Sequence, residues 1–206
     1  MKTKIGGLVT GLLFASPVCH ASCSWSHIDH EMAFSDSGAW APNSYRGMMD
    51  ALTIAQIGGA LYEGSQSRFG RAMWQGIDSE ALAAITSNAA KFVFTRGRPG
   101  TSNDPCKWFQ GGSNYSFPSG EAATAAGLVA PYIIEYAHDR PAVYALLAIP
   151  AYVGAGRLKN HAHWQSDVIA GWAMGGLSGW YARAKEHPFF VSILPRGFSV
   201  GFRKPF

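Results

Sequence analysis

The residues able to do chemistry in this 206-residue chain gather in three short segments between positions 91 and 167. His163 and Asp167 stand four apart in His163-Trp164-Gln165-Ser166-Asp167, so on a helix they share a face. A carboxylate so placed accepts one ring N–H and leaves the other nitrogen a free lone pair, the form of imidazole that attacks an electrophile. Arg157 lies six residues earlier. In Phe117-Pro118-Ser119-Gly120-Glu121, Ser119 opens an Ala-rich helical stretch. A serine there is most simply an N-cap, and the same free N–H groups and helix dipole make a docking point for an anion. Lys91, six residues before Arg98-Pro99, adds further positive charge. Each segment alone is commonplace: a solvated pair, a helix cap, a chance His and Asp. The set is not.

The pattern Lys91-x6-Arg98-Pro99, Pro118-Ser119-Gly120 and Arg157-x5-His163-x3-Asp167 resembles the signature of the type 2 phosphatidic acid phosphatase superfamily. That group holds bacterial class A acid phosphatases, lipid phosphate phosphatases and vanadium-dependent haloperoxidases. The resemblance covers residues 91–167 with order and internal spacings intact. It implies an all-α, single-domain helical bundle and a phosphomonoesterase that needs neither metal nor other cofactor. His163 would attack phosphorus and form a phosphohistidine, with Asp167 orienting it and stabilising its positive charge. Lys91, Arg98 and Arg157 would hold the non-bridging oxygens, joined by Ser119 and the Gly120 N–H. Glycine at 120 would let the backbone approach the phosphate closely.

Two positions depart from the family pattern. Gly156 precedes Arg157 where Ser is frequent. Glu121 stands where the family usually has the His taken to protonate the leaving oxygen. Glu121 can do that work only if it holds a proton in the complex; His161, Lys159 and His138 are the spare candidates. Two other functions use the same pocket: a haloperoxidase holding vanadate, and a phosphate-binding protein without turnover. No Asp, Glu or His cluster has metal-ligand spacing, and His161-x-His163 alone makes a poor site.

These residues need helices to bring them together. Met48, Leu52, Ala55 and Gly59 recur at helical spacing and predict a helix over 45–62. A second helical region runs over 71–94, with a break expected near Gly76 and Asp78 or Ser79 capping the second half. Residues 95–118, rich in Gly, Pro and Asn, read as a long functional loop. Helices follow at 119–138, 141–156 and 164–185, and 22–44 is an irregular lead-in. The uncharged runs near 141–156 and 168–182 fall short of a membrane span and read as buried bundle helices. From Pro188 the alternation Val191, Ile193, then Phe198, Val200, Phe202, around Pro195-Arg196-Gly197, predicts a short C-terminal hairpin or an extended tail.

Hydrophobic residues make up 48% of the chain and charged residues 15%, enough for a sizeable core and too apolar for intrinsic disorder. The formal charge of +4 is spread without a basic run, which argues against a nucleic-acid partner. Lys2 and Lys4, the apolar stretch Ile5–Phe14 and Ser16-Pro17-Val18-Cys19-His20-Ala21 read as a signal peptide over 1–21, leaving a phosphatase domain over 22–206. The expected location is exported and periplasmic; the alternative is an uncleaved N-terminal membrane anchor. Cleavage after Ala21 leaves Cys23 and Cys106, which predict one disulfide in an oxidising compartment, or else two unrelated thiols. The expected partner is a phosphate ester, soluble or lipid-linked. Trp74, Trp108, Trp172, Trp180 and the Phe-rich tail would either contact a membrane surface or fill the core. Oligomeric state leaves no trace in the sequence.

Overall fold

A computed structural model describes residues 27–184, 189–194 and 197–202. The expected signal peptide and Cys23 lie outside the described residues. Five α-helices carry the described part of the chain: α1 (Pro42–Glu63), α2 (Arg68–Phe94), α3 (Gly120–Tyr136), α4 (Ala148–Lys159) and α5 (Gln165–Ala184). The all-α expectation holds. Two short strands follow the helices, β1 (Phe189–Leu194) and β2 (Gly197–Phe202). They pair antiparallel, with Phe189 opposite Phe202 and Leu194 opposite Gly197, which is the hairpin the alternation predicts.

Three helices differ from their expected bounds for physical reasons. α2 is unbroken: Ser67 caps it, accepting from the Gly70 N–H, and the helix continues through Gly76 to Phe94. Gly76 is a point of contact, not a break, since a Cβ there would stand 2.7 Å from Gln56 Oε1. Asp78 and Ser79 are buried in mid-helix and cap nothing. Tertiary packing of a long helix outweighs the cost of one glycine, about 1 kcal/mol. The segment expected as one helix over 141–156 is a 3-10 helix, Pro141–Leu147, that runs into α4 and extends to Lys159. The added turn makes Pro141–Lys159 long and apolar enough to cross a membrane by length and composition, which corrects the expectation that this run falls short. Finally, α5 begins at Gln165, so His163 precedes the helix and does not share a helical face with Asp167.

α3 is the central helix, packed chiefly against α5 and α2. Its buried face starts with the small residues Ala122, Ala123, Ala125 and Ala126 and continues into Leu128 and Val129. α5 meets it with glycines at four-residue spacing. A Cβ at Gly171 would stand 2.5 Å from the Ser119 carbonyl oxygen; Cβ atoms at Gly175 and Gly179 would press into the Ala123 carbonyl and the Ala130 side chain. The two helices therefore touch backbone to backbone, and the Ser119 N–H donates to the Asp167 carbonyl at 2.9 Å. At the opposite end of the bundle Arg68, which opens α2, pairs with Glu135 and Asp139, and Arg183 of α5 pairs with Glu135. The helices alternate in direction, so the starts of α1, α3 and α5 and the ends of α2 and α4 meet at one place.

Candidate active site

That meeting place is a cleft of about 370 Å³ lined by Arg46, Lys91, Arg98, Gly120, Glu121, Arg157 and His163, with Ser87, Asn88 and Thr124 at its wall. Of the expected site residues only Ser119 and Asp167 stand behind the lining, both fully buried. Lys91 and Arg157 occupy the last turns of α2 and α4, and Glu121 and Asp167 the first turns of α3 and α5. Each charge thus complements its own helix dipole.

Positive charge is concentrated here at a cost. Burial, then the charges of Arg98 and Arg157, push the Lys91 ammonium down to about 8. Burial and Arg157 likewise lower Arg98. Lys91 Nζ donates to the Pro118 carbonyl at 2.5 Å, and a Cβ at residue 120 would stand 3.3 Å from that nitrogen. Glycine keeps the start of α3 open beside the lysine. Arg157 Nη1 donates to the hydroxyl of fully buried Tyr45 at 3.1 Å, and Tyr45 Oη donates to Asn160 Oδ1 at 2.8 Å. Arg157 Nε and Ser119 Oγ are buried and without hydrogen-bond partners. Unpaired buried polar atoms are rare and costly.

His163 is buried, and its Nδ1 lies 2.6 Å from the Ser116 carbonyl. A carbonyl only accepts, so Nδ1 carries the proton and Nε2 keeps its lone pair. The expectation that Asp167 takes this N–H directly is corrected: Asp167 Oδ2 stands 3.7 Å from Nδ1, beyond hydrogen-bond range. That oxygen is already engaged by Ser116 Oγ at 2.5 Å and the Trp164 N–H at 2.9 Å. Ser116 thus binds both members of the pair, its carbonyl holding the imidazole and its hydroxyl the carboxylate. Burial, only partly opposed by Asp167, pushes the His163 imidazole down to about 4. Burial pushes Asp167 up, yet its contacts with His163, Arg96 and Ser116 prevail and hold it below the usual carboxylate range.

Behind the pair lies a charge cluster that sequence reading misses. Arg96 has no exposed side-chain surface and uses every N–H it has. Nε and Nη2 donate to the Pro105 carbonyl, Nη1 to Ser166 Oγ and Asp167 Oδ1, and Nη2 to Asp29 Oδ2. Its guanidinium lies 4.3 Å from the Trp108 ring centroid and 5.8 Å from that of Trp164. Asp29, from the lead-in, accepts from the Ser166 N–H at 2.8 Å and from Ser166 Oγ at 2.7 Å, capping the start of α5. Nothing local in the sequence marks Asp29, Tyr45, Arg46 or Ser116, because their partners stand far away along the chain. Arg96 sits two residues before Arg98, and no spacing rule separates its internal role from the cleft role of its neighbour.

Glu121 enters the cleft from α3 and pairs with Arg46 Nη2 at 3.0 Å and Arg157 Nη1 at 3.1 Å. Of the spare proton donors, His161 points elsewhere: its Nε2 donates to the Met32 carbonyl at 2.6 Å. Neither His161 nor Lys159 nor His138 lines the cleft. Among the described residues no group of three or more His, Cys, Asp or Glu side chains is placed to hold a metal ion.

Known proteins give the comparison a name. The sequence profile of the PAP2 superfamily matches residues 75–188. A lipid A 1-phosphatase of Porphyromonas gingivalis is 27% identical over 169 residues, which cover 79% of this chain and 36% of that protein. The chain therefore spans about a third of the length of that curated relative. Among solved structures, Aquifex aeolicus LpxE aligns with 74% of this chain and 99% of its own, at 17% identity and a TM-score of 0.39.

Proposed function

The chain belongs to the PAP2 superfamily, and on that premise we propose that it is an exported phosphatase that cleaves a lipid-linked phosphomonoester without a metal, through a phosphohistidine at His163. The observation that carries the reading is the fixed imidazole: Nδ1 is committed to the Ser116 carbonyl, and the residue lines a cleft with Lys91, Arg98 and Arg157. In this reading Nε2 attacks phosphorus while the cations, with Ser119 and the Gly120 N–H, hold the non-bridging oxygens. The P–O bond to the leaving group breaks, and Glu121 gives that oxygen a proton. Glu121, now a carboxylate, then takes a proton from water as the water attacks the phosphohistidine; phosphate leaves and His163 is restored.

The incoming phosphate competes with Glu121 for Arg157. The lipid-linked substrate is supported by the lipid A 1-phosphatase activity for which the Porphyromonas relative is named. It is supported also by outward apolar side chains such as Ile54, Leu61, Leu177 and Trp180. Export rests on the character of residues 1–21, and a Cys23–Cys106 pairing on the disulfide-bonded state of Cys106.

The test uses the full chain and a phosphate ester labelled on phosphorus, quenched in alkali, where phosphohistidine survives. Label is expected on His163, with turnover unaffected by a chelator and blocked by vanadate. His163→Ala should lose label and turnover yet still bind inorganic phosphate. Label on another residue, or activity lost in chelator and restored by a divalent metal, overturns the reading.

A further inference from the structure

The carboxylate that backs the nucleophile is itself ion-paired to a buried arginine, and that arrangement raises an electrostatic problem. Arg96 Nη1 lies 2.5 Å from Asp167 Oδ1, and both side chains are fully buried. Alone, that pair would be neutral, and Asp167 could do little for a positive charge developing on His163. Asp29 changes the sum. It lies 2.6 Å from Arg96 Nη2, also fully buried, so the cluster Asp29–Arg96–Asp167 carries one net negative charge.

We propose that Asp29 is a positioning residue for the nucleophile: by binding the far side of Arg96 it keeps the buried cluster anionic, so that Asp167 stabilises the positive imidazole of the phosphohistidine. The proposal rests on the phosphohistidine reading above. Asp29 touches neither substrate nor His163. It acts through Arg96 and through Ser166, whose N–H and hydroxyl it holds at the start of α5. The lead-in is anchored beside it in register. The His30 N–H donates to Gln165 Oε1, Gln165 Nε2 donates to the His30 carbonyl, and Asn160 Nδ2 donates to the Ser35 carbonyl. Residues 28–35 thus run along the loop that carries His163.

Other charges also face the imidazole: Lys91 from α2, Glu121 from α3, Arg157 from α4, Asp167 from α5, with Arg98 from the long loop and Arg46 from α1 around the same cleft. The cations outnumber the acids, which is why one buried negative charge more or less is felt at His163.

Three variants of the full chain separate charge from architecture. Asp29→Asn keeps the shape and makes the cluster neutral. Its kcat should fall about 10–100-fold, as for other groups that orient a catalytic imidazole, while KM changes little because the phosphate-holding cations are untouched. The acid limb of kcat/KM should move to lower pH, since losing a negative charge disfavours the protonated imidazole. Arg96→Gln leaves two carboxylates and should move that limb upward. The double variant Asp29→Asn/Arg96→Gln restores one net negative charge and should recover kcat about tenfold over Asp29→Asn, although it removes more hydrogen bonds. A purely architectural role predicts the reverse, a double variant worse than either single one with no movement of the limb, and that result overturns the proposal. If Asp29→Asn does not fold, the direction of the Arg96→Gln limb decides alone. Labelling of His163 in the wild-type chain is measured alongside: its absence defeats the phosphatase reading, whereas labelled wild type with an unmoved limb defeats only the role of Asp29.

Discussion

At the scale of single residues, two displaced proton affinities bracket the activity. In the proposed mechanism His163 must be neutral to attack, and burial holds its imidazole down to about 4 in the free protein. Activity should therefore persist on the acid side until the pH falls through about 4. In the same mechanism Lys91 must be charged to hold phosphate, and burial beside two arginines brings it down to about 8. As pH rises through about 8 the ammonium loses its proton and phosphate binding weakens. With an aryl phosphate, whose leaving group needs no proton from Glu121, the profile of kcat/KM, which reports the free enzyme, is expected to be a bell between these values once corrected for substrate ionisation; a plateau continuing to pH 10 would refute the part given to Lys91. Glu121 makes a separate prediction. Glu121→Gln removes a transferable proton and keeps the size, so alkyl phosphates should lose about 10²–10⁴-fold in kcat. Aryl phosphates with stable leaving anions should lose little. Equal losses would give Glu121 a positioning role, consistent with its pairing to Arg46 and Arg157. The spacing of Lys91, Arg98, Ser119, Arg157 and His163 is legible in the sequence because each sits at a helix end or a fixed distance from one. The true acceptor of the His163 N–H is not legible, since a backbone carbonyl at Ser116 has no signature in residue type.

Among the elements, the contact between α3 and α5 sets the geometry of everything else. Gly175 lies against the Ala123 carbonyl, whereas a Cβ at its neighbour Gly176 would meet nothing within 4 Å. Gly175→Ala should therefore cost about 1–3 kcal/mol, the usual penalty for overpacking, and lower Tm by several degrees, a shift of about 2–4 °C per kcal/mol in a chain of this size. Gly176→Ala should leave Tm unchanged or raise it slightly, and thermal unfolding of the pair settles the comparison. Helix positions are readable from periodicity to within a few residues. Their continuity is less so: Gly76 in α2 resembles a break in composition, and only the side chain of Gln56, from a different helix, explains why the residue must be small.

For the whole molecule, alternating helix directions gather three helix starts and two helix ends around one cleft, and the ion pairs of Arg68 and Arg183 close the opposite end. Between the two ends Ile54, Ile57 and Leu61 form an exposed stripe at helical spacing on α1. If that stripe faces lipid, the full chain should co-float with vesicles of phosphatidylethanolamine and phosphatidylglycerol. Ile54→Lys/Leu61→Lys should then reduce flotation and leave hydrolysis of a soluble aryl phosphate intact; unchanged flotation would remove α1 from that surface. Such a surface is only half visible in sequence, because an apolar residue on a helix reads the same whether it faces a core or a bilayer. Asp29 is invisible for a plainer reason, standing 137 residues from the Ser166 it caps. The close seating of α5 on α3 has a dynamic consequence. With Ser119 N–H bonded to the Asp167 carbonyl and glycines leaving no side chain to yield, the two helices cannot part slightly. Amide protons at their joined ends should exchange with solvent only when the whole bundle opens, so their exchange rate would read the stability of the entire fold from beside the cleft.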